Sequence, residues 1–220
     1  TTGNTHNGIV ITSGSGYNIT GNTIGYATSG GTGTYTMTGT VSTRFIGINL
    51  SVSTTAAVTS VQGNTVTAIS LATSSGAATT NGILCGINVT AGNVNIGNIT
   101  PNTIGGSSGT GLLSAVPTTT QGLIVGINSS STGTIVIQNN VIGGFTSSGI
   151  TAAIAGGVAG INVSGVAASM TITGNTIGNS TAENMRSGTL GLTTAGSIAS
   201  GIYLSSTPAV SNITNNTIRN

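Results

Sequence analysis

Few side chains in this sequence can carry a proton or a charge near neutral pH. Glu183 is the only side-chain carboxylate, Arg44, Arg186 and Arg219 are joined by a single histidine, His6, and a single thiol, Cys85, and Asp and Lys are absent. Hydrolysis by a carboxylate pair, and proton abstraction beside a Ca²⁺ held by Asp, both need groups this chain lacks. A Ser/His/acid triad would have to join His6 to Glu183 across most of the chain, so it fails on spacing. One cysteine builds neither a disulfide framework nor a metal cluster, and Cys85 reads as a buried core thiol. His6 reads as a surface residue beside the first repeat, and Glu183 with Arg186 as a solvated loop pair worth little. The expectation is a chain with no catalytic residue, no cofactor and no metal site.

Composition says what must be made without charge. Charged residues are 2% of the 220, against about a quarter in an ordinary domain, so the surface has to be Thr, Ser, Asn and Gly. A pI of 9.1 resting on three Arg is too little to track a phosphate backbone or hold an anionic membrane, so no nucleic-acid partner is expected. Disorder fits badly, because 36% of the residues are hydrophobic and they recur in register. The apolar stretch from Ile150 to Ala168 approaches the length of a membrane span, but Gly156, Gly157, Gly160, Asn162 and Ser164 break it, so no insertion is expected. No signal peptide precedes the first repeat, and both ends read as cut from a longer array.

Two marks recur. Gly-Ile stands at Gly8, Gly47, Gly86, Gly126, Gly160 and Gly201, and an Asn followed two residues later by Ile or Val stands at Asn22, Asn64, Asn102, Asn140, Asn175 and Asn216. Successive Asn are 42, 38, 38, 35 and 41 residues apart, which gives about six repeats, each with a tight half and a looser half. In the tight half the period is two: Ile48-Asn49-Leu50, Ile87-Asn88-Val89 and Ile161-Asn162-Val163 put the aliphatics inward and Asn49, Asn88, Asn128 and Asn162 outward. Cys85 shares inward parity with Ile46, Val125 and Ala159. Ile19, Val61, Ile99, Ile137, Ile172 and Ile213 are expected inward before the second mark, and Ile24, Val66, Ile104, Ile142, Ile177 and Ile218 after it. Strands this short must pair with their copies in the next repeat, which predicts one all-β, parallel β-solenoid segment over residues 1–220.

The rung from Gly201 to Asn220 resembles the right-handed parallel β-helix repeat family, as found in giant secreted bacterial surface proteins and adhesins. The likeness covers the tight halves; the looser halves, such as 25–46 and 178–200, depart from it and could be a side layer, a second coil or a widening of one coil. What the resemblance implies is an extracellular or cell-surface location and a rigid, non-catalytic fibre or filament; open coil ends, unless capped by sequence beyond this chain, are expected to associate end to end. Many proteins with this fold act on polysaccharides, an activity for which the carboxylates are missing here.

The Asn of the second mark reads as a structural ladder: Asn tolerates left-handed backbone at a bend, and its amide both donates and accepts. Outward Thr23, Thr65, Thr103, Thr176 and Thr217, with Val141 between, form a candidate ligand-facing column beside a second one of Thr20, Gln62, Thr100, Gln138, Thr173 and Thr214. Regular Thr columns resemble those of ice-binding β-solenoids, so an ice- or glycan-binding module is the alternative reading. Asn-x-Ser/Thr sequons at Asn18, Asn49, Asn88, Asn162 and Asn212 arise from the repeat itself, and the outward Asn column could touch a surface glycan weakly.

Overall fold

The computed structural model describes residues 4–39, 41–55, 57–76, 80–149, 154, 156–189 and 198–219, and every regular element among them is a strand. Residues 150–153 and 155 of the long apolar stretch, and 190–197 of the last looser half, lie outside the described residues. The strands stack into four parallel sheets. Sheet A is β1 (Asn4–Ile11), β5 (Thr43–Ser51), β9 (Leu84–Ala91), β13 (Gly122–Ser129), β17 (Gly156–Val163) and β21 (Ala199–Leu204). Sheet B is β2 (Asn18–Thr20), β6 (Thr59–Gln62), β10 (Val94–Ile96), β14 (Thr134–Gln138), β18 (Ser169–Thr173) and β22 (Ser211–Thr214). Sheet C is β3 (Thr23–Gly25), β7 (Thr65–Thr67), β11 (Thr103–Gly105), β15 (Val141–Gly143), β19 (Thr176–Ile177) and β23 (Thr217–Ile218). Sheet D is β4 (Tyr35–Met37), β8 (Ile69–Thr73), β12 (Leu113–Pro117), β16 (Phe145–Ser147) and β20 (Met185–Ser187).

Each coil thus runs A, B, C, D, and the chain is a parallel β-solenoid of about five complete turns, with a sixth supplying strands to A, B and C. The looser half supplies the D strand, so it widens the coil. Some coils pass from C to D through one left-handed residue, such as Ala68 (φ 53°), whereas others take a longer excursion, such as residues 106–112.

Strictly parallel pairing keeps each residue over its counterpart, so like packs on like along the axis. Ile48, Ile87 and Ile127 are fully buried in one column, and Ile104, Ile142 and Ile177 fill another on the opposite wall. Burial of an aliphatic side chain stabilises by roughly 1.5–3 kcal/mol, and the core repeats that gain in every coil.

The Gly of the Gly-Ile mark faces this opposite wall. A Cβ on Gly47 would lie 2.5 Å from the Gly86 carbonyl oxygen and 2.9 Å from Val66, and one on Gly126 would lie 2.5 Å from the Gly160 carbonyl oxygen and 2.6 Å from Ile142. The aliphatic of sheet C therefore leans into the space a side chain would take.

That glycine also resets the alternation, which corrects two expectations. Phe45 and Ile48, three residues apart, both face the main core, as do Leu84 and Ile87; Ile46, Cys85, Val125 and Ala159 form a separate buried cluster with Leu123 and Ile198 on the outer side of sheet A. Cys85 is buried, but on the opposite face from Ile87. Ile99 is not a core residue either: Ile96 fills that place, paired with Val61 and Ile137, while Ile99 is 78% exposed in a loop.

Candidate functional site

The side chains that the repeat brings together most regularly are amides. In the first ladder the Nδ2 of Asn22, Asn64, Asn102, Asn140 and Asn175 donates to Oδ1 of the column Asn one coil further on, at 2.9, 3.0, 2.9, 3.0 and 2.9 Å. The backbone N–H of each donor residue reaches the same oxygen, at 2.9–3.2 Å. The second amide hydrogen returns toward the preceding coil, as from Asn102 to the Val61 carbonyl at 2.9 Å. Each interior rung, at Asn64, Asn102, Asn140 and Asn175, ties three coils and is buried, where an unpaired amide would cost about 1–3 kcal/mol.

The left-handed backbone at this corner belongs to the residue before the Asn. Gly21, Gly63, Asn139, Gly174 and Asn215 have φ between 54° and 67°, and this turn swings the following amide inward. In the third coil Pro101 occupies that position and a longer loop begins at Gly97. Buried Gln62 holds this loop: its Nε2 donates to the Asn95 carbonyl and to Asn98 Oδ1, and its Oε1 accepts from the N–H groups of Ile99 and Thr100, both at 3.1 Å. Thr100 therefore lies in the loop and not in a strand column.

A second ladder stands where outward Asn were expected. Asn49 donates to Asn7, Asn88 to Asn49, Asn128 to Asn88 and Asn162 to Asn128, Nδ2 to Oδ1, at 3.1, 2.8, 2.7 and 2.7 Å. Its polarity is opposite to that of the first, each amide pointing back toward the start of the chain. Asn88, Asn128 and Asn162 are 2–3% exposed, so they are not a sugar-facing surface. Outside sheet A, Thr80 reaches the last of them: Asn162 donates to the Thr80 carbonyl at 2.9 Å. The ladder stops where Tyr203 follows Asn162 in register, and Asn162 Oδ1 is buried with no hydrogen-bond partner, beside a cavity of about 80 Å³. The recurrence of Gly-Ile-Asn was the sequence signal for this ladder; its burial was not legible.

Thr23, Thr65, Thr103, Val141, Thr176 and Thr217 are direct neighbours along sheet C. They form one rank, on strands of two or three residues. Two residues on stand Gly25, Thr67, Gly105, Gly143, Gly178 and Arg219, so no second Thr rank runs beside the first. Of the second predicted column, Thr173 and Thr214 share a hydroxyl hydrogen bond at 2.9 Å.

The ionisable groups are dispersed. Arg186 and Glu183 form one ion pair at 3.3 Å, Arg44 donates to Ser75 Oγ and the Gly76 carbonyl, and burial pushes the Cys85 thiol far above its ordinary pKa. Among the described residues no three of His, Cys, Asp and Glu gather, and no helix is long and apolar enough to cross a membrane. A cavity of about 360 Å³ is lined by Val158, Ile177, Met185, Ala199 and Ile218 among others. Comparison with family models, with curated proteins and with solved structures finds no match.

Proposed function

We propose that this chain is a structural segment of an extracellular or cell-surface rod, of the kind used in adhesins and fibres, and that it works by stacking rather than by catalysis. The observation that supports this best is the pair of amide ladders, running with the aliphatic columns through successive coils. At about 4.8 Å per coil, six coils are only ~29 Å tall, so length comes from adding coils, and each one adds the same hydrogen bonds and the same slice of core. A surface of Thr, Ser and Asn makes such a rod nearly indifferent to salt. The Thr rank of sheet C has Gly at four of the six positions two residues on, so it offers ice no second Thr rank beside it.

Digestion tests the reading. The chain has three Arg and no Lys, so trypsin is uninformative and a broad-specificity protease is needed. The 220-residue chain is expected to survive at moderate temperature far longer than an ordinary domain of its size. Prompt cleavage within the β-sheet core would sink the proposal.

A further inference from the structure

We propose that Asn81-Gly82 is a self-modification site, at which the folded chain converts its own asparagine to aspartate and isoaspartate through a cyclic imide. The inference goes beyond the structural-segment reading and does not rest on it.

The sequence holds two Asn-Gly pairs, Asn7-Gly8 and Asn81-Gly82. Glycine matters because no Cβ shields its nitrogen from the side-chain amide of the residue before it. The fold treats the two pairs differently. Asn7 lies within β1, where its Oδ1 accepts from Asn49 Nδ2 at 3.1 Å and its Nδ2 donates to the Thr5 carbonyl. Asn81 is half-buried in a turn before β9, and among the described residues neither its amide nor the Gly82 N–H has a hydrogen-bond partner. The next N–H, that of Ile83, already bonds to the Leu123 carbonyl at 2.9 Å.

Space and backbone hold the reactive pair in place. Gly82 has φ 64°, and a Cβ there would overlap the Leu123 carbonyl oxygen, so no bulkier neighbour can slow the reaction. Thr80 is left-handed as well, at φ 58°, which a β-branched residue adopts only under constraint. The longer main chain of isoaspartate relaxes that constraint.

The chemistry balances with water alone. The Gly82 nitrogen attacks Asn81 Cγ and gives up its proton to the departing amide, which leaves as ammonia as the imide closes. Water then opens the ring. Breaking the bond from nitrogen to Cγ gives aspartate; breaking the bond from nitrogen to the main-chain carbonyl carbon gives isoaspartate, whose backbone runs through Cβ and Cγ. Either product adds a carboxylate to a chain whose one side-chain acid is Glu183.

The second ladder feels the change. The Thr80 carbonyl, just ahead of β9, accepts from Asn162 in β17, two strands on in sheet A, and both residues line the 80 Å³ cavity. Lengthening the backbone directly after Thr80 moves that carbonyl and releases Asn162 Nδ2 from it.

The test is ageing of the native chain in warm, mildly alkaline buffer, followed by peptide mass spectrometry with enzymatic methylation to mark isoaspartate. Asn81 is expected to be lost ahead of every other asparagine while Asn7 keeps its amide; in urea both convert. The Asn162 side-chain amide is expected to exchange faster in the aged chain than in the fresh one. Asn81→Gln, which keeps an amide but closes the ring poorly, is expected to age without that change. Loss of Asn7 as fast as Asn81 in the native chain, or an intact Asn81 where the unfolded chain has converted, overturns the site. Unchanged Asn162 exchange after conversion overturns its coupling to the ladder. Protease resistance of the fresh chain is read separately, so the structural-segment reading stands or falls on its own.

Discussion

Asn175 places two donors on one oxygen: its Nδ2 and its backbone N–H lie 2.9 and 3.0 Å from Oδ1 of Asn216, one coil further along the axis. A side chain that holds both the amide and the backbone of its neighbour fixes the corner between sheets B and C as well as the spacing of the coils. This is why the same residue type returns at each corner although the loops between vary in length.

Removing an interior rung strands more partners than removing a rim one. Asn102→Ala leaves the N–H and Nδ2 of Asn64 without their acceptor in a buried site and is expected to cost about 3 kcal/mol in urea unfolding. Asn22→Ala, where among the described residues nothing donates to Oδ1, is expected to cost about 1 kcal/mol. Equal losses at the two sites would contradict the ladder as a buried, directional chain.

The glycine of the Gly-Ile mark is held by space rather than by φ. Gly126→Ala drives a methyl against the Gly160 carbonyl and Ile142, both under 3 Å from it, and is expected to destabilise by about 3 kcal/mol or more, read from the denaturation midpoint.

The second ladder can be lengthened. Tyr203 follows Asn162 in register as Asn162 follows Asn128, so Tyr203→Asn presents an Nδ2 to the unpartnered Asn162 Oδ1. Stability is expected to rise by about 1 kcal/mol. A fall would mean that Tyr203 closes the end of the column better than an amide does.

Cys85 gives a pH signature. Burial raises its pKa above the ordinary value of 9.0, so the folded chain keeps the thiol protonated where the unfolded chain has released it. The unfolded state then binds fewer protons: the thiol's contribution is fully present below pH 9.0 and declines above it by about 1.4 kcal/mol per pH unit. Cys85→Val, which copies Val125 in the same column, is expected to remove that component of the slope.

Much of the fold could be read from spacing, because a solenoid writes its architecture as recurrence. The Asn and Gly-Ile marks gave the coil and its stacked strands directly. What misled was the assumption of unbroken alternation: Gly47 and its equivalents let residues on both sides of the kink face inward, which sent Cys85 and Ile46 to the other face. The third coil hid its register because residues 97–101 add a loop, so that Ile99 imitates a core position that Ile96 fills. The second ladder was visible as Gly-Ile-Asn, but its burial was not: strict alternation puts those Asn outward, and contacts such as that of Asn162 with the Thr80 carbonyl come from residues that carry no periodic signal.

Exchange of the side-chain amide protons of Asn64, Asn102, Asn140 and Asn175, followed by NMR in the native chain, tests the central claim most directly. Rungs held between coils should exchange as slowly as the backbone amides of the surrounding strands, opening only with the fold itself. Exchange at the rate of free asparagine, with the backbone still protected, would contradict the ladder as the element that joins coil to coil.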